Sequence, residues 1–471
     1  MEVKVNKNEK FYTCVSKISN MISKTEWENK VFLYGDCVRK IMMGEVPARV
    51  DICVEKNNGG ETFATWLARE SGNFSLYENP VHFPLSDTYS LYFKNDGRIS
   101  TVEVKVRETR KMKLVSGKIC YDFSTLEDDA MDREMTANAL YVALPNSDIY
   151  DFLKRGANDI DNKLVKGANK DLDSLFKCNP IYMMRLIRYA TTLGWDIEKN
   201  TWLAIVKNAK YILNAANYEI KSELSWICLA DKPSIGIKRL LSSGLLRYII
   251  PEVSNLTMEE SVVSSGNNLF EHTLDVIDKT KKSVINRLAA LLHEIGKPST
   301  HTVVLGVHKY LSFENVGAKM AFDVLERFDF SEEVCRLVGK IIKYQTCLYK
   351  YVDSVSLSNK AVRKIMAVCG TDVDKVFDLI EADNTSRKKG LNVYNQTKSV
   401  LSRIKFLEND GREEKEDDFP INGKDIMETL HIKSSPRIGE YLKIAKKAFT
   451  NTPTMTKDEL LSYVLEYAKG N

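Results

Sequence analysis

The sequence changes character near residue 150, and this change restricts the folds that the chain can adopt. Before it, four short apolar runs are typical of strands: Val31–Tyr34, Val50–Val54, Leu91–Lys94 and Thr101–Val106. From about Leu172 onward, long stretches with helical periodicity replace them, as in NPIYMMRLIRYATTLGW. We therefore predict an α+β fold in which a head built on a sheet precedes a helical body.

Composition places the chain among globular proteins. Its 471 residues, 44% apolar and 28% charged, are enough for about two to four domains of ordinary size. The net charge of +4 is compatible with a local basic face for RNA but does not argue for one. The nine cysteines include no CxxC pair, which predicts reduced thiols in a cytoplasmic protein. No run approaches the roughly 18 apolar residues of a membrane span.

Residues 31–55, VFLYGDCVRKIMMGEVPARVDICVE, read as a strand that ends in Gly35, a short helix and a second strand that carries Asp51. Glu103 follows on a later strand. Acids on neighbouring strands can converge on one hard cation, which prefers oxygen ligands, and metal ions held in this way support phosphoryl transfer. Spacing alone favours the simpler interpretation, in which both are surface acids.

These segments resemble the bacterial-type tRNA CCA-adding enzymes and their poly(A) polymerase relatives, in the same order and over nearly the whole chain. The hexapeptide GDCVRK, which begins at Gly35, corresponds to the family's Gly-Gly-x-Val-Arg-Asp. The family's Asp-x-Asp pair falls on Arg49, Val50 and Asp51, so that a cation takes the first position. The strand acid of its Glu-Val segment falls on Glu103. The resemblance implies that Asp51 and Glu103 are catalytic and hold Mg²⁺.

The block TLEDDAMDREMTANAL, residues 125–140, resembles the family segment that holds the triphosphate and ribose. Arg133 and Asn138 agree with it, whereas Asp132 and Glu134 replace an arginine and an aspartate. The resemblance implies that the nucleotide is bound in the head by Gly35, Arg39, Arg133 and Asn138.

The family chooses between CTP and ATP with a Glu-Asp-x-x-Arg helix, and here that position reads Cys-Asn-Pro-Ile-Tyr. Asn179 could still bond to a base edge, and Tyr182 could stack on a base. Arg185 and Arg188 agree with the family and share one helix face. They could contact the triphosphate or the RNA backbone, or form an ordinary solvated helix edge.

A second possible site lies between residues 267 and 300, where a histidine is followed by His-Glu in an apolar helix. The pattern resembles the HD phosphohydrolase motif, with glutamate in place of aspartate. Imidazole and carboxylate groups together suit a divalent metal that activates water. The implied ligands are His272, His293, Glu294 and Asp383. Structural retention without a metal is the alternative.

The resemblance also implies the organisation of the chain. A polymerase-beta-like nucleotidyltransferase head with a mixed sheet (residues 1–150) precedes an elongated all-helical body. The body comprises a neck for nucleotide and RNA (151–260), an HD-like domain (261–405) and a tail (419–471). The charged segment 408–418 reads as a linker or an exposed loop.

Three functions stay open. The first is metal-dependent nucleotidyl transfer from CTP or ATP to the 3′ end of a tRNA or another RNA. Arg49 counts against it because a cation in the metal pocket repels Mg²⁺, and Asn179 and Tyr182 replace the base-reading pair. The second is a catalytically silent relative that binds RNA or a nucleotide. The third is an HD-type metal phosphohydrolase. We expect no membrane partner, and the sequence does not define an oligomeric state.

Overall fold

The computed structural model describes residues 7–71, 80–84, 86–95, 98–115, 118–258, 268–305, 307–349, 359–387, 397, 400, 403–404, 419–433, 435–451 and 455–469. The predicted linker, 408–418, lies outside them. The chain divides into two compact units, the first formed by Met1–Gln345 with Thr385–Lys389 and the second by Thr346–Asn384 with Gly390–Asn471. The four predicted domain ranges are finer than this division and stay predictions.

The described residues of the head form nine strands: β1 (Val31–Tyr34), β2 (Arg49–Val54), β3 (Val81–Phe83), β4 (Thr88–Asn95), β5 (Arg98–Glu108), β6 (Arg110–Val115), β7 (Lys118–Phe123), β8 (Tyr141–Leu144) and β9 (Ile149–Tyr150). Seven of them form one sheet in the order β3-β4-β5-β2-β1-β8-β9. β2 runs parallel to β5, and the other neighbouring pairs are antiparallel. The sheet is mixed, which confirms the predicted fold class, and β6 and β7 form a separate hairpin.

The head also contains α1 (Lys7–Ile22), α2 (Asp36–Met42), α3 (Gly59–Ser71) and α4 (Leu126–Met131). A 3₁₀ turn follows α4 at Thr136–Asn138. Alternation along β2 buries Val50, Ile52 and Val54 completely on one face of the sheet. The same alternation sends Arg49 and Asp51 to the opposite face, where the candidate site lies.

The helical body begins with α5 (Gly156–Asp161), α6 (Leu172–Cys178), α7 (Ile181–Thr192), α8 (Lys199–Asn208), α9 (Asn217–Cys228), α10 (Pro233–Ser242), α11 (Leu246–Ile249) and α12 (Pro251–Ser254). The first unit continues through α13 (Leu269–Lys279), α14 (Val284–Leu292), α15 (Lys297–Thr300), α16 (Phe313–Arg327) and α17 (Glu332–Lys343). Two short strand pairs interrupt it, β10 (Leu164–Val165) with β11 (Asp196–Ile197) and β12 (His301–Val304) with β13 (Val307–Tyr310). The body is thus helical but not entirely so.

The second unit contains α18 (Asn359–Cys369), α19 (Val373–Thr385), α20 (Gly423–Leu430), α21 (Pro436–Asn451) and α22 (Lys457–Lys469). The last three helices share a small apolar core, which includes Ile426, Ala445, Leu460 and Val464. Within the described part of the chain, no helix combines the length and the apolar content that crossing a bilayer requires.

A buried ion pair connects β5 with α4 in the head. Arg107 donates through both terminal nitrogens to Asp129, at 2.5 and 2.7 Å. The Tyr141 hydroxyl and the Arg110 amide also donate to this carboxylate, at 2.6 and 2.9 Å. Burial raises the pKa of Asp129, but the Arg107 charge and these hydrogen bonds outweigh burial and lower the pKa to about 2.

Replacing Asp129 with Asn should destabilise the first unit by about 3–5 kcal/mol, because it leaves the buried Arg107 without its counter-charge. Asp128→Asn, in the neighbouring, partly exposed position, should cost less than about 1 kcal/mol. Urea unfolding followed by tryptophan fluorescence measures both, since the first unit holds all five tryptophans. Because folding lowers the pKa of Asp129, its contribution should be full above about pH 4 and disappear as the pH falls towards about 2. Equal losses in the two variants would contradict this role.

Candidate active site between head and neck

The parallel pairing of β2 and β5 brings the predicted catalytic acids to one face of the sheet. Arg49 lies opposite Glu103, and Asp51 lies opposite Lys105. Since side chains two residues apart on a strand share a face, Arg49, Asp51 and Glu103 point to the same side. The neighbours of these two carboxylates therefore decide whether a metal ion can bind.

Asp51 is paired with the cation that precedes it by two residues. The Arg49 Nε atom donates to Asp51 Oδ1 at 2.7 Å. The Asp51 side chain is 9% exposed, whereas that of Arg49 is 48% exposed. Burial raises the pKa of the Asp51 carboxyl, and the Arg49 guanidinium acts against this effect. A guanidinium thus stands beside Asp51 where the family resemblance requires a second carboxylate.

Glu103 is also engaged. The Ser90 hydroxyl donates to Glu103 Oε1 at 2.6 Å, and Lys105 Nζ lies 3.8 Å from the same oxygen. Each of the two predicted metal ligands therefore has a cationic side chain within 4 Å. Mg²⁺ could bind at the site that we predicted from Asp51 and Glu103 only by competing with Arg49 and Lys105 for these carboxylates.

Gly35 allows a guanidinium to approach the end of β1. Its backbone has φ +70°, and a Cβ atom added there would lie 2.7 Å from Arg133 Nη2. The Arg133 guanidinium lies 4.9 Å from the centre of the Tyr34 ring. Its buried Nε atom has no hydrogen-bond partner among the described residues. A buried guanidinium with an unused donor is suited to a phosphate oxygen.

Arg39 is buried beside this site and is held by neighbours on both sides. Its Nε donates to Asn138 Oδ1 at 3.0 Å, and one terminal nitrogen pairs with Asp36. Asn138 in turn donates through Nδ2 to Glu134 Oε1 at 2.7 Å. In the described structure, Arg39 and Asn138 therefore position each other and the turn that carries Arg133.

A cleft of about 520 Å³ opens between the head and the neck, within the first unit. Its walls are formed mainly by polar residues of α2, β2, α7 and α9, and they include Asp36, Arg39, Lys40, Arg49, Asp51, Arg188, Tyr189, Glu223, Trp226, Asp231 and Lys282. Asp51 lines this cleft, whereas Glu103 and Arg133 are not among its lining residues.

Trp226 is the feature of this cleft that sequence reasoning missed. It lies on α9 and is 55% exposed although it is an indole. Its wall also carries Arg188 and Tyr189, and the Arg188 guanidinium lies 3.9 Å from the centre of the Tyr189 ring. An exposed indole beside cationic groups is the usual composition of a surface that stacks nucleic-acid bases.

The two predicted base-reading residues differ in their surroundings. Asn179, at the end of α6, is 6% exposed, and its Oδ1 atom has no hydrogen-bond partner within the described ranges. The Tyr182 hydroxyl donates to the Asp132 carbonyl at 3.2 Å, and the Arg185 guanidinium lies 5.3 Å from the Tyr182 ring centre. Asn179 thus offers an acceptor, while Tyr182 is fixed against the head.

Arg185 and Arg188 converge on a buried acid. Glu223, on α9, accepts from Arg185 Nε at 3.0 Å and from Arg188 Nε at 2.5 Å. We predicted either phosphate contacts or a solvated helix edge for these arginines, and the joint ion pair with Glu223 has no local signal in the sequence. Each guanidinium has further N–H donors, so contact with a phosphate stays a prediction.

The first unit also contains three of the predicted ligands of the HD-like site. His272, His293 and Glu294 are at most 1% exposed, and one candidate ligand atom from each lies within 4.8 Å of the others. The His293 Nδ1 atom lies 2.7 Å from the Ala290 carbonyl, so Nδ1 donates and Nε2 keeps its lone pair. That buried Nε2 has no hydrogen-bond partner in the part of the chain that is described, which fits a metal ligand.

Lys297 lies against this cluster, with its Nζ atom 2.6 Å from a carboxylate oxygen of Glu294. Burial raises the pKa of Glu294, but the charge of Lys297 and the interactions with His293 have the larger combined effect and lower the pKa. The carboxylate is therefore ionised. Asp383, the fourth predicted ligand, belongs to the second unit and accepts a hydrogen bond from the Tyr349 hydroxyl. Its place in the ligand set stays a prediction.

Two family models match the chain. The poly(A) polymerase head domain matches residues 31–166, and the probable RNA- and SrmB-binding site of polymerase A matches residues 194–256. The two matches cover the sheet of the head and much of the neck, and they include the cleft residues of α2, β2 and α9.

Curated relatives and solved structures agree with these matches. The CC-adding tRNA nucleotidyltransferase of Thermus thermophilus is 24% identical over 76% of this chain and 82% of its own length. The A-adding tRNA nucleotidyltransferase of Deinococcus radiodurans is 23% identical over 76% and 84%. The crystal structure of the Bacillus stearothermophilus CCA-adding enzyme in complex with CTP shares the fold, with a TM-score of 0.54, 15% identity and coverage of 100% and 99%.

The order of the motifs, the mixed sheet of the head, the helical neck and these matches agree with one another. The chain thus contains a region that matches the poly(A) polymerase head domain, and over about three quarters of its length it is similar to tRNA nucleotidyltransferases of the CC-adding and A-adding type.

Proposed function

We propose that this protein works at the 3′ end of tRNA or of another RNA, as a nucleotidyltransferase of the CCA-adding or poly(A) polymerase type. The cleft between head and neck carries the proposal, because it joins Asp51 on one wall to Arg188 and Trp226 on the other. The RNA end and CTP or ATP are its substrates. In this reaction the terminal hydroxyl attacks the α-phosphate of the nucleotide, and pyrophosphate leaves.

The residues of the cleft and its surroundings supply binding and orientation. Arg133 offers a buried donor to the triphosphate, and the buried Oδ1 atom of Asn179, which has no partner among the described residues, can accept a hydrogen bond from a base. Trp226 provides a flat apolar surface for a base of the RNA end. The nine free cysteines support the cytoplasmic location that such a role implies.

Mg²⁺ is the cofactor that the family implies for the head. The residues present do not fit a site of paired acids, because Arg49 occupies the first position and its Nε lies 2.7 Å from Asp51 Oδ1. This pair favours a second candidate function, in which the protein binds the nucleotide and the RNA end without joining them. For Mg²⁺-dependent nucleotidyl transfer, the Arg49 side chain must first move away from the Asp51 carboxylate.

In the HD-like cluster, His272, His293 and Glu294 would hold a divalent metal, with Asp383 as the predicted fourth ligand, and the two imidazoles add neutral ligands to a carboxylate that Lys297 already pairs with. A metal held there supplies an activated water for phosphate-ester hydrolysis. Hydrolysis of 2′,3′-cyclic nucleotides to nucleoside 2′- or 3′-phosphates, and its loss in His293→Ala, would establish this activity.

Arg49→Asp should raise nucleotidyl transfer, and Asp51→Ala should abolish it. At about 4 Å and an effective dielectric constant near 20, two like charges repel by about 4 kcal/mol. Because Arg49 is half exposed, we expect about a tenfold to hundredfold gain in rate. The assay measures extension, by labelled ATP or CTP with Mg²⁺, of a tRNA that lacks its 3′ end.

Lys113→Ala, in the exposed β6–β7 hairpin, is the matched control and should leave extension unchanged. RNA and nucleotide binding without extension, in both the natural protein and Arg49→Asp, would establish the second candidate. Unchanged extension in Arg49→Asp and Asp51→Ala would remove the head site from the proposal.

Trp226→Ala should weaken the binding of a single-stranded RNA end by about fivefold to a hundredfold, since stacking on an aromatic side chain contributes about 1–3 kcal/mol per base. Trp226→Phe should retain most of the affinity. Fluorescence anisotropy of an RNA labelled at its 5′ end measures both. Leu213→Ala removes a 65% exposed side chain of the neck that does not line the cleft, and an equal loss there would contradict the stacking role.

Gly35→Ala should weaken ATP binding because the new Cβ atom would displace the Arg133 guanidinium, 2.7 Å away. Gly44→Ala is the control: Gly44 also has positive φ, but no atom lies within 4 Å of the added Cβ. Both variants place an alanine at positive φ, and because Gly35 has ψ −134°, outside the left-handed helical region, thermal unfolding must show that Gly35→Ala is folded. Calorimetric ATP affinity should fall in Gly35→Ala alone, and a similar fall in both would exclude the Arg133 explanation.

A further inference from the structure

We infer that the head binds a nucleoside triphosphate without a divalent cation, with Arg49 in the place of the metal ion that would otherwise neutralise Asp51. The inference rests on the proposed function, since it concerns the nucleotide of the same cleft. It departs from the family's use of Mg²⁺, and the contacts of Asp51, Glu103 and Arg133 support it.

Asp51 already has the counter-charge that a metal would supply. Its side chain is 9% exposed, and a carboxylate at that depth needs a cation or several hydrogen bonds to stay ionised. The Arg49 Nε atom supplies both a positive charge and a donor at 2.7 Å. A metal ion could bind Asp51 only after breaking this ion pair, and the positive charge of Arg49 would still lie close to the ion.

Glu103 does not offer a vacant second ligand. Its Oε1 atom accepts from the Ser90 hydroxyl at 2.6 Å and lies 3.8 Å from Lys105 Nζ. In sheet register, Glu103 stands opposite Arg49 and not opposite a second acid. The acids that could share one ion are therefore separated by cations.

The same cations suit the triphosphate. On the head wall of the cleft, Arg39, Lys40 and Arg49 outnumber Asp36 and Asp51, so the wall carries a net positive charge. Such a wall attracts a polyanion and repels a free divalent cation. Arg49 is 48% exposed and uses Nε for Asp51, and a guanidinium has four further N–H donors that can reach a phosphate.

Arg133 does not line the cleft but lies beside Gly35 at the end of β1. Burial raises the pKa of Asp51, and the Arg49 and Arg133 charges both act against this rise. The buried Nε atom of Arg133 has no hydrogen-bond partner among the described residues. Phosphate oxygens accept bidentate hydrogen bonds from guanidinium groups. Arg49 and Arg133 can thus hold the phosphates in the way that a bridging Mg²⁺ would.

Isothermal titration of the full chain with ATP, in EDTA and in MgCl₂, tests the inference. We expect the dissociation constant to differ by less than about threefold between the two buffers. Arg49→Ala should weaken binding by about tenfold to a hundredfold in EDTA, because it removes charge-assisted hydrogen bonds. Lys113→Ala, distant from the cleft lining, should bind as the natural protein does. Thermal unfolding shows whether each variant is folded.

A second measurement follows the metal alone. Electron paramagnetic resonance of Mn²⁺ should detect no change in ion binding between the natural protein and Asp51→Ala, and it should detect a new bound ion in Arg49→Asp. An ion that is lost in Asp51→Ala would overturn the inference.

The outcomes separate the inference from the proposed function. ATP binding that requires Mg²⁺ and is unaffected by Arg49→Ala overturns the inference and leaves the proposed function standing. No ATP binding in either buffer overturns both. Equal binding in the two buffers, with a loss in Arg49→Ala, supports the inference.

Discussion

The parallel pairing of β2 with β5 is the constraint on which the rest of the head depends. It places Val50 and Ile52 on the buried face and Arg49, Asp51 and Glu103 on the other. A shift of one residue would exchange these faces and bury a guanidinium and a carboxylate in the apolar layer. The fully buried valines and isoleucines of β2 therefore fix where the polar groups stand. The chemistry of the cleft is set by the same register that holds the sheet together.

The head contains a buried ion-pair network around Asp129 and a separate cleft in which Arg49 pairs with Asp51. Asp129 receives donors from Arg107, Tyr141 and Arg110, so this buried charge is compensated within the fold. In the cleft, a cation at Arg49 takes the position of a metal-binding acid. Buried networks of this kind are costly to break, and substitution at the open cleft is not. The fold of the head therefore depends more on the Asp129 network than on the residues of the cleft.

Much of the fold could be read from the sequence because its signals are local. The four predicted strands all lie within observed strands, and the helical body follows where periodicity changes. Contacts between distant elements carried no such signal: Glu223 pairs with Arg185 and Arg188 from more than thirty residues away, and the exposure of Trp226 depends on how α9 faces the cleft. The sequence shows that a cation, Arg49, precedes Asp51 by two residues. Only the structure shows that the Arg49 Nε atom donates a hydrogen bond to Asp51.

A buried carboxylate has a limited set of stable partners, and the choice among them has consequences for the whole site. A metal ion compensates such a group only when it is bound, so an unloaded site keeps an uncompensated charge. A guanidinium from the same strand compensates it in every state, because Arg49 is covalently tied two residues from Asp51. The fold then gains nothing from a metal at this position, whereas an incoming triphosphate still meets positive charge. Stability in the absence of ligand and independence from divalent cations are, on this argument, two results of one ion pair.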